Sequence, residues 1–117
     1  MRLNDDLYPS EGDMDIARRI TAVLAELGIR RHLKGFGMVR YAIFLTYGNG
    51  NPLPVTKIIY PMVARKFSTT PIRVERNIRT AVTDAFGHRE NRDAFGKYFR
   101  RGCPINSDFI ATIADEI

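Results

Sequence analysis

Apolar side chains along this chain recur three and four residues apart, the spacing that gathers one stripe on an α-helix. Ile16, Ile20, Val23, Leu24 and Leu27 form the first stripe. Asp13 is the expected cap of that helix, Asp15 favours its positive end, and Gly28 stops it. A second helix is expected from Gly35 to Tyr47, with Phe36, Val39, Ala42, Ile43 and Tyr47 inward and Gly48 at its end. The GNGNPLP run that follows is the clearest loop in the chain. A third helical segment starts near Val55. Pro61 either kinks it or restarts it in a new first turn, because proline lacks a backbone donor and crowds the preceding turn. Val63, Ala64 and Phe67 face inward after it, and Ser68 and Thr69 form a turn. Thr70 then caps the next helix and Pro71 takes its first position, a strong start signal. That helix is expected to reach Phe86, with Gly87 beyond.

The HRENRD run reads as a polar loop, and Ala94, Phe95, Tyr98 and Phe99 as the apolar side of a short helix. Gly102 and Pro104 break the chain. Asn106 is the expected cap of a last helix holding Phe109, Ile110, Ile113 and Ile117. No run alternates long enough to demand a strand. The expectation is an all-α fold, a compact domain of six to seven helices. Residues 1–12 read as an acidic flexible lead-in, and residues 13–117 as a single helical domain, large enough for a real apolar core.

Wound at about 100° per residue, positions 71–86 place Val74, Ile78, Ala81, Val82 and Ala85 on one arc. Arg76 lands almost opposite, and Arg73, Arg79, Thr80 and Thr83 share that outward side. Glu75 lies on the flank, one turn before Arg79. An ordinary solvated face, with Glu75 and Arg79 as an i,i+4 ion pair, would look the same. Charge separates the readings. From Lys57 to Arg79 there are six basic residues against one acid, an excess of five, which equals the net charge of +5 of the whole chain. Two short helices joined by a polar turn, the second faced with arginine, is the layout of a helix-turn-helix DNA reader. Lys57, Arg65 and Lys66 lie on the preceding segment, where phosphates would pass. Arginine can grip guanine O6 and N7 with two bonds, and glutamate can accept from cytosine N4, so neighbouring Glu75 and Arg76 suit a step containing a C·G pair.

The remaining composition narrows the partners. A basic chain favours an anionic partner, and nucleic acid comes before membrane. No stretch approaches the roughly 20 apolar residues of a membrane span, and the polar, acidic start does not read as a signal peptide. Cys103 is the only cysteine, which excludes an internal disulfide or a thiolate metal cluster and fits a reducing cytoplasm. It is expected to be a small buried hydrophobe. His32 reads as a structural or capping residue and His88 as a loop residue, too far apart in sequence for metal-ligand spacing. With no carboxylate pair, nucleophile dyad or phosphate loop in view, neither an enzyme nor a cofactor or metal site is expected.

Five blocks carry a resemblance: HLKG at His32–Gly35, TKIIYP at Thr56–Pro61, ARKFSTT at Ala64–Thr70, RVERNIRTA at Arg73–Ala81 and NSDFIATIAD at Asn106–Asp115. Together they resemble the C-terminal DNA-binding effector domain of the stage zero sporulation protein A family, the sporulation response regulators, from about Ile20 to Glu116. The RVER block within its YP and TT frame is far more specific than a generic helix-turn-helix pattern. The resemblance implies an all-helical transcription regulator that reads boxes similar to TGTCGAA, with tandem homodimers on paired boxes and RNA polymerase as a further partner. By residue it places base reading on Glu75, Arg76 and Arg79. Lys57, Lys66, Thr69, Thr70 and Arg73 are then candidate phosphate contacts, which position rather than specify. The family's phospho-accepting receiver domain finds no room in 117 residues, and Asp5 and Asp6 follow no buried strand that would supply one. Either an excised effector domain or a free-standing relative is therefore expected. Two rivals remain: a helical protein-interaction module that kept the fold without specific DNA binding, and an RNA-binding helical domain. The first would favour acids or apolar groups on the outward arc. The second would favour exposed aromatics for stacking.

Overall fold

The structure, a computed structural model, describes residues 7–50 and 53–117. Asp5 and Asp6 of the acidic lead, and Asn51 and Pro52 of the expected loop, lie outside the described residues. Six α-helices follow one another among the described residues, with no strand: α1 (Glu11–Glu26), α2 (Lys34–Asn49), α3 (Tyr60–Lys66), α4 (Pro71–Gly87), α5 (Arg92–Tyr98) and α6 (Asn106–Glu116). A π-helical turn, Val55–Ile59, leads into α3, and a 3-10 turn, Arg89–Asn91, leads into α5. The fold is all-α.

Helix α2 is the axle. It packs against α1, α3, α4 and α6. Its buried residues include Phe36, Met38, Val39, Tyr41, Ala42 and Ile43, spread around the helix rather than along one stripe. A helix apolar on most sides belongs in the middle of a domain. Gly35 sets the closest approach. A Cβ there would lie 2.1 Å from the Asn77 carbonyl oxygen and 2.9 Å from the Ala81 Cβ, so only a glycine lets α2 cross the middle of α4 at this depth. Inward, α4 contributes Val74, Ile78, Ala81, Val82 and Ala85, the arc its periodicity predicts. Phe95 of α5 closes one end of the core. Its ring centroid lies 5.3 Å from Phe86 and 6.4 Å from Phe109. Phe109, Ile110 and Ile113 of α6 are buried in the same core.

Several expected boundaries move. The first helix starts at Glu11, two residues before Asp13, because Ser10 caps it: its Oγ accepts from the Asp13 backbone N–H at 3.0 Å. The loose lead-in therefore does not extend over the described part of residues 1–12. Leu7 and Tyr8 are buried, and Tyr8 packs edge-on against Tyr41 and Phe44. Burial pushes the Tyr8 phenol up to about 12. Gly28 does end α1, with a left-handed φ of 80°. Helix α2 passes through Gly48 and ends where Gly50 turns left-handed, so Tyr47 lies on its last, more exposed turn rather than inward. His88 adjoins the 3-10 turn, where its Nε2 is 3.8 Å from Asp84 Oδ1.

Candidate nucleic-acid interface

Pro61 explains how α3 begins. With no N–H of its own it cannot continue a helical ladder through its position. The chain widens before it: Ile58 N–H and Ile59 N–H both donate to the Pro54 carbonyl, at 3.0 and 3.2 Å. The α-helix then restarts with Pro61 in its first turn, the second of the two expected outcomes. Val63 and Ala64 of α3 are buried against α4.

The turn between α3 and α4 is closed by two backbone bonds. Ser68 N–H donates to the Arg65 carbonyl at 3.4 Å, and Thr69 N–H reaches back to Ala64 at 2.9 Å. This is the Schellman arrangement, with the left-handed position at Ser68, φ 54°, where helices that end this way usually place glycine. Thr70 follows as the N-cap of α4, its Oγ1 accepting from Arg73 N–H at 3.3 Å. Its hydroxyl proton is left to donate elsewhere. Pro71 occupies the first turn, as expected.

The outward side of α4 holds Ile72, Arg73, Arg76, Arg79, Thr80 and Thr83, all exposed. Arg79 Nη1 donates to Glu75 Oε2 within an i,i+4 ion pair, with side chains 55% and 36% exposed. Arg73 and Arg76 make no side-chain hydrogen bond or ion pair among the described residues, and neither do Lys57, Arg65 or Lys66. The candidate residues therefore divide. Glu75 and Arg79 line a groove of about 530 Å³ between α4, the π-helical turn and the segment Cys103–Ser107. Arg73 and Arg76 do not line it and reach solvent from the same helix. Lys66 ends α3, half-buried Thr69 lies in the turn, and Thr70 and Arg73 open α4, so these four cluster along one short stretch of chain. Lys57 stands apart on the π-helical turn.

Two residues behave differently from the expectation. Asn106 is not the cap of α6. Ile105 holds that place without a side-chain bond, and Asn106 is buried in the first turn. Its Nδ2 donates to Tyr60 Oη at 2.9 Å and to the Glu75 carbonyl at 3.1 Å, tying α6 to α3 and to the backbone of α4 beneath the outward face. A capping asparagine and a buried bridging one look identical in sequence; only the partners distinguish them. Burial raises the Tyr60 phenol, and the Asn106 bond works against that rise. Cys103 is exposed rather than buried, because Gly102 at φ 98° and Pro104 hold its segment on the surface beside the groove.

The candidate interface thus has a fixed inner face, a capped start and an outward row of cations, all set on α4 and the two short elements before it. Residues 20–117 match the family described as "Sporulation initiation factor Spo0A C terminal", and the chain belongs to this family of DNA-binding regulatory domains.

Proposed function

We propose that this chain is a sequence-specific transcription regulator that uses α3, the Schellman turn and α4 as a helix-turn-helix, reading a box similar to TGTCGAA. The observation that carries this reading is Arg76. It stands opposite the buried stripe of α4, in the first two turns, with its guanidinium free of partners among the described residues. A guanidinium fork left in solvent on a helix whose other face is locked in a core is positioned to meet a guanine edge. Glu75 beside it accepts from cytosine. The Glu75–Arg79 pair is solvent-exposed, and such pairs contribute at most about 1 kcal/mol, so it opens at small cost to let both groups turn to bases. Lys66, Thr69, Thr70 and Arg73 hold phosphates at the start of α4, and Lys57 holds one further along.

The reading places the protein on chromosomal DNA in the cytoplasm. Among the described residues no helix is long and apolar enough to cross a membrane. One small domain on one short box has limited contact area, so the account includes cooperative pairing of two copies on tandem boxes. Phe109 and Ile113 are spent on the domain's own core. Contact between copies then falls to the exposed side of α6 and the basic segment before it.

Fluorescence anisotropy on box and scrambled duplexes at several salt concentrations tests the proposal. A clear preference for the box at every salt is expected. Equal affinity for both would sink specific reading and favour the interaction-module alternative. Duplexes carrying one or two boxes test the pairing: tighter binding per site on two boxes supports it, and equal per-site affinity removes it.

A further inference from the structure

The outward stripe of α4 is not wholly polar. Ile72, Glu75, Arg76 and Arg79 stand at i, i+3, i+4 and i+7, one row along the helix surface. Ile72 is 72% exposed, the highest exposure among the large exposed apolar residues of the described chain. It is neither part of the buried core nor among the partly buried residues packed on it, and it does not line the groove beside Glu75 and Arg79. A β-branched residue there does little for helix formation either. Neither the core nor the helix accounts for an isoleucine in this row, so the contact it suits lies outside the chain.

In the major groove every base edge offers hydrogen-bond donors or acceptors, with one apolar exception, the C5-methyl group of thymine. We infer that Ile72 is a specificity residue that packs on a thymine methyl next to the base pair read by Glu75 and Arg76. The inference rests on the proposed helix-turn-helix reading and extends it. A first-turn residue on the row of the base-reading candidates reaches a base edge near theirs. The contact discriminates thymine from cytosine at that position, because cytosine carries only a hydrogen on C5 where thymine carries the methyl.

Removing the methyl and nothing else tests this. Each thymine of the box, on both strands, is replaced in turn by deoxyuridine, and binding of the full chain is followed by anisotropy. At one or two positions the wild type should bind about fourfold more weakly, the effect of losing one buried methyl-sized group. Ile72→Ala should bind the thymine duplex weakly to a similar extent and lose its sensitivity to deoxyuridine. Ile72→Val should retain most of it. Circular dichroism should show all three folded alike, since the side chain is exposed. Wild-type affinity unchanged on every deoxyuridine duplex, or Ile72→Ala as sensitive as the wild type, would overturn the inference while leaving the helix-turn-helix reading in place. Failure to prefer the box over scrambled DNA removes both.

Discussion

Two regions of this molecule use their cations in opposite ways. Beside α1 and within α5, Arg30, Lys97 and Arg92 are spent on the fold. Arg30 grips Asp84 with two bonds of 2.9 Å, Lys97 pairs with Glu26, and Arg92 donates to the Phe86 carbonyl at 2.6 Å while lying 4.3 Å over its ring. Along the π-helical turn, α3 and α4, five of the six cations, Lys57, Arg65, Lys66, Arg73 and Arg76, have no such partner among the described residues, and only Arg79 is paired. Lys34, Arg89, Arg100 and Arg101 are also unpaired, but no other stretch gathers so many beside a single helix face. A count of cations does not tell which of them are already bonded. Partners separate them: a cation already bonded within the protein stabilises it, whereas a solvated cation on a rigid face is available to a phosphate or a base.

The largest expected effect comes from moving the platform under both regions. Gly35→Ala drives a Cβ into the Asn77 carbonyl and forces α2 and α4 apart. Urea denaturation should show a loss of about 3 kcal/mol. An unchanged midpoint would mean that the crossing of these helices is looser than described.

Next comes the separation itself. Arg76→Ala should cost about 1–3 kcal/mol in binding to the box and flatten preference at one base pair, with the urea midpoint nearly unchanged. Arg30→Ala should do the reverse, lowering stability and leaving box affinity alone. If Arg30→Ala weakened DNA binding as much as Arg76→Ala at equal folded fraction, the division between the two regions would collapse.

A smaller effect divides cations within the proposed interface. Lys66→Ala should weaken all duplexes alike and shallow the dependence of log affinity on log salt by about one unit. Lys97→Ala, on the spent side, should leave that slope unchanged. The slope, taken from binding isotherms at four or more salt concentrations, decides between them.

The smallest effect is on pH. The Arg30 hydrogen bond holds the Asp84 carboxyl below its ordinary value of 3.8, and Lys97 and Tyr98 hold Glu26 below 4.5. A carboxyl with a depressed folded value contributes stability that is fully present above its unfolded value and is lost as pH falls through the folded one. Thermal melts should therefore weaken from about pH 4.5 downward. Arg30→Gln with Lys97→Gln should flatten that limb; an identical limb in the double variant would show that these pairs do not drive it. Both pairs are partly solvent-exposed, so the change is modest.

The parts of this arrangement that were legible in the sequence are those set by periodicity and by turn chemistry. Val74, Ile78, Ala81, Val82 and Ala85 are buried where a 3.6-residue period puts them, and Thr70 with Pro71 starts α4 where a cap and a first-turn proline predict. Local composition misled where a long-range contact decides. Leu7 and Tyr8 sit in a polar, acidic stretch, yet Tyr8 finds Tyr41 and Phe44 across the fold. Asp13 and Ser10 are both good caps, and only the backbone path selects Ser10. Asn106 carries cap chemistry but meets Tyr60 and the Glu75 carbonyl, 46 and 31 residues away in sequence. The arginine face was visible as a row of charges. Which of its members are already paired depends on rotamers and neighbours that a helical wheel does not contain.

On the proposed function, DNA meets the unspent cations of α3 and α4. Amide chemical-shift mapping on the uniformly ¹⁵N-labelled chain, titrated with a duplex carrying one box, tests it most directly. The largest shifts should fall from Lys66 to Arg79, with Thr70, Ile72, Arg73 and Arg76 foremost, while Glu26, Arg30 and Lys97 stay in place. Shifts concentrated on α1 and α5, with the outward face of α4 unmoved at saturation, would contradict the account.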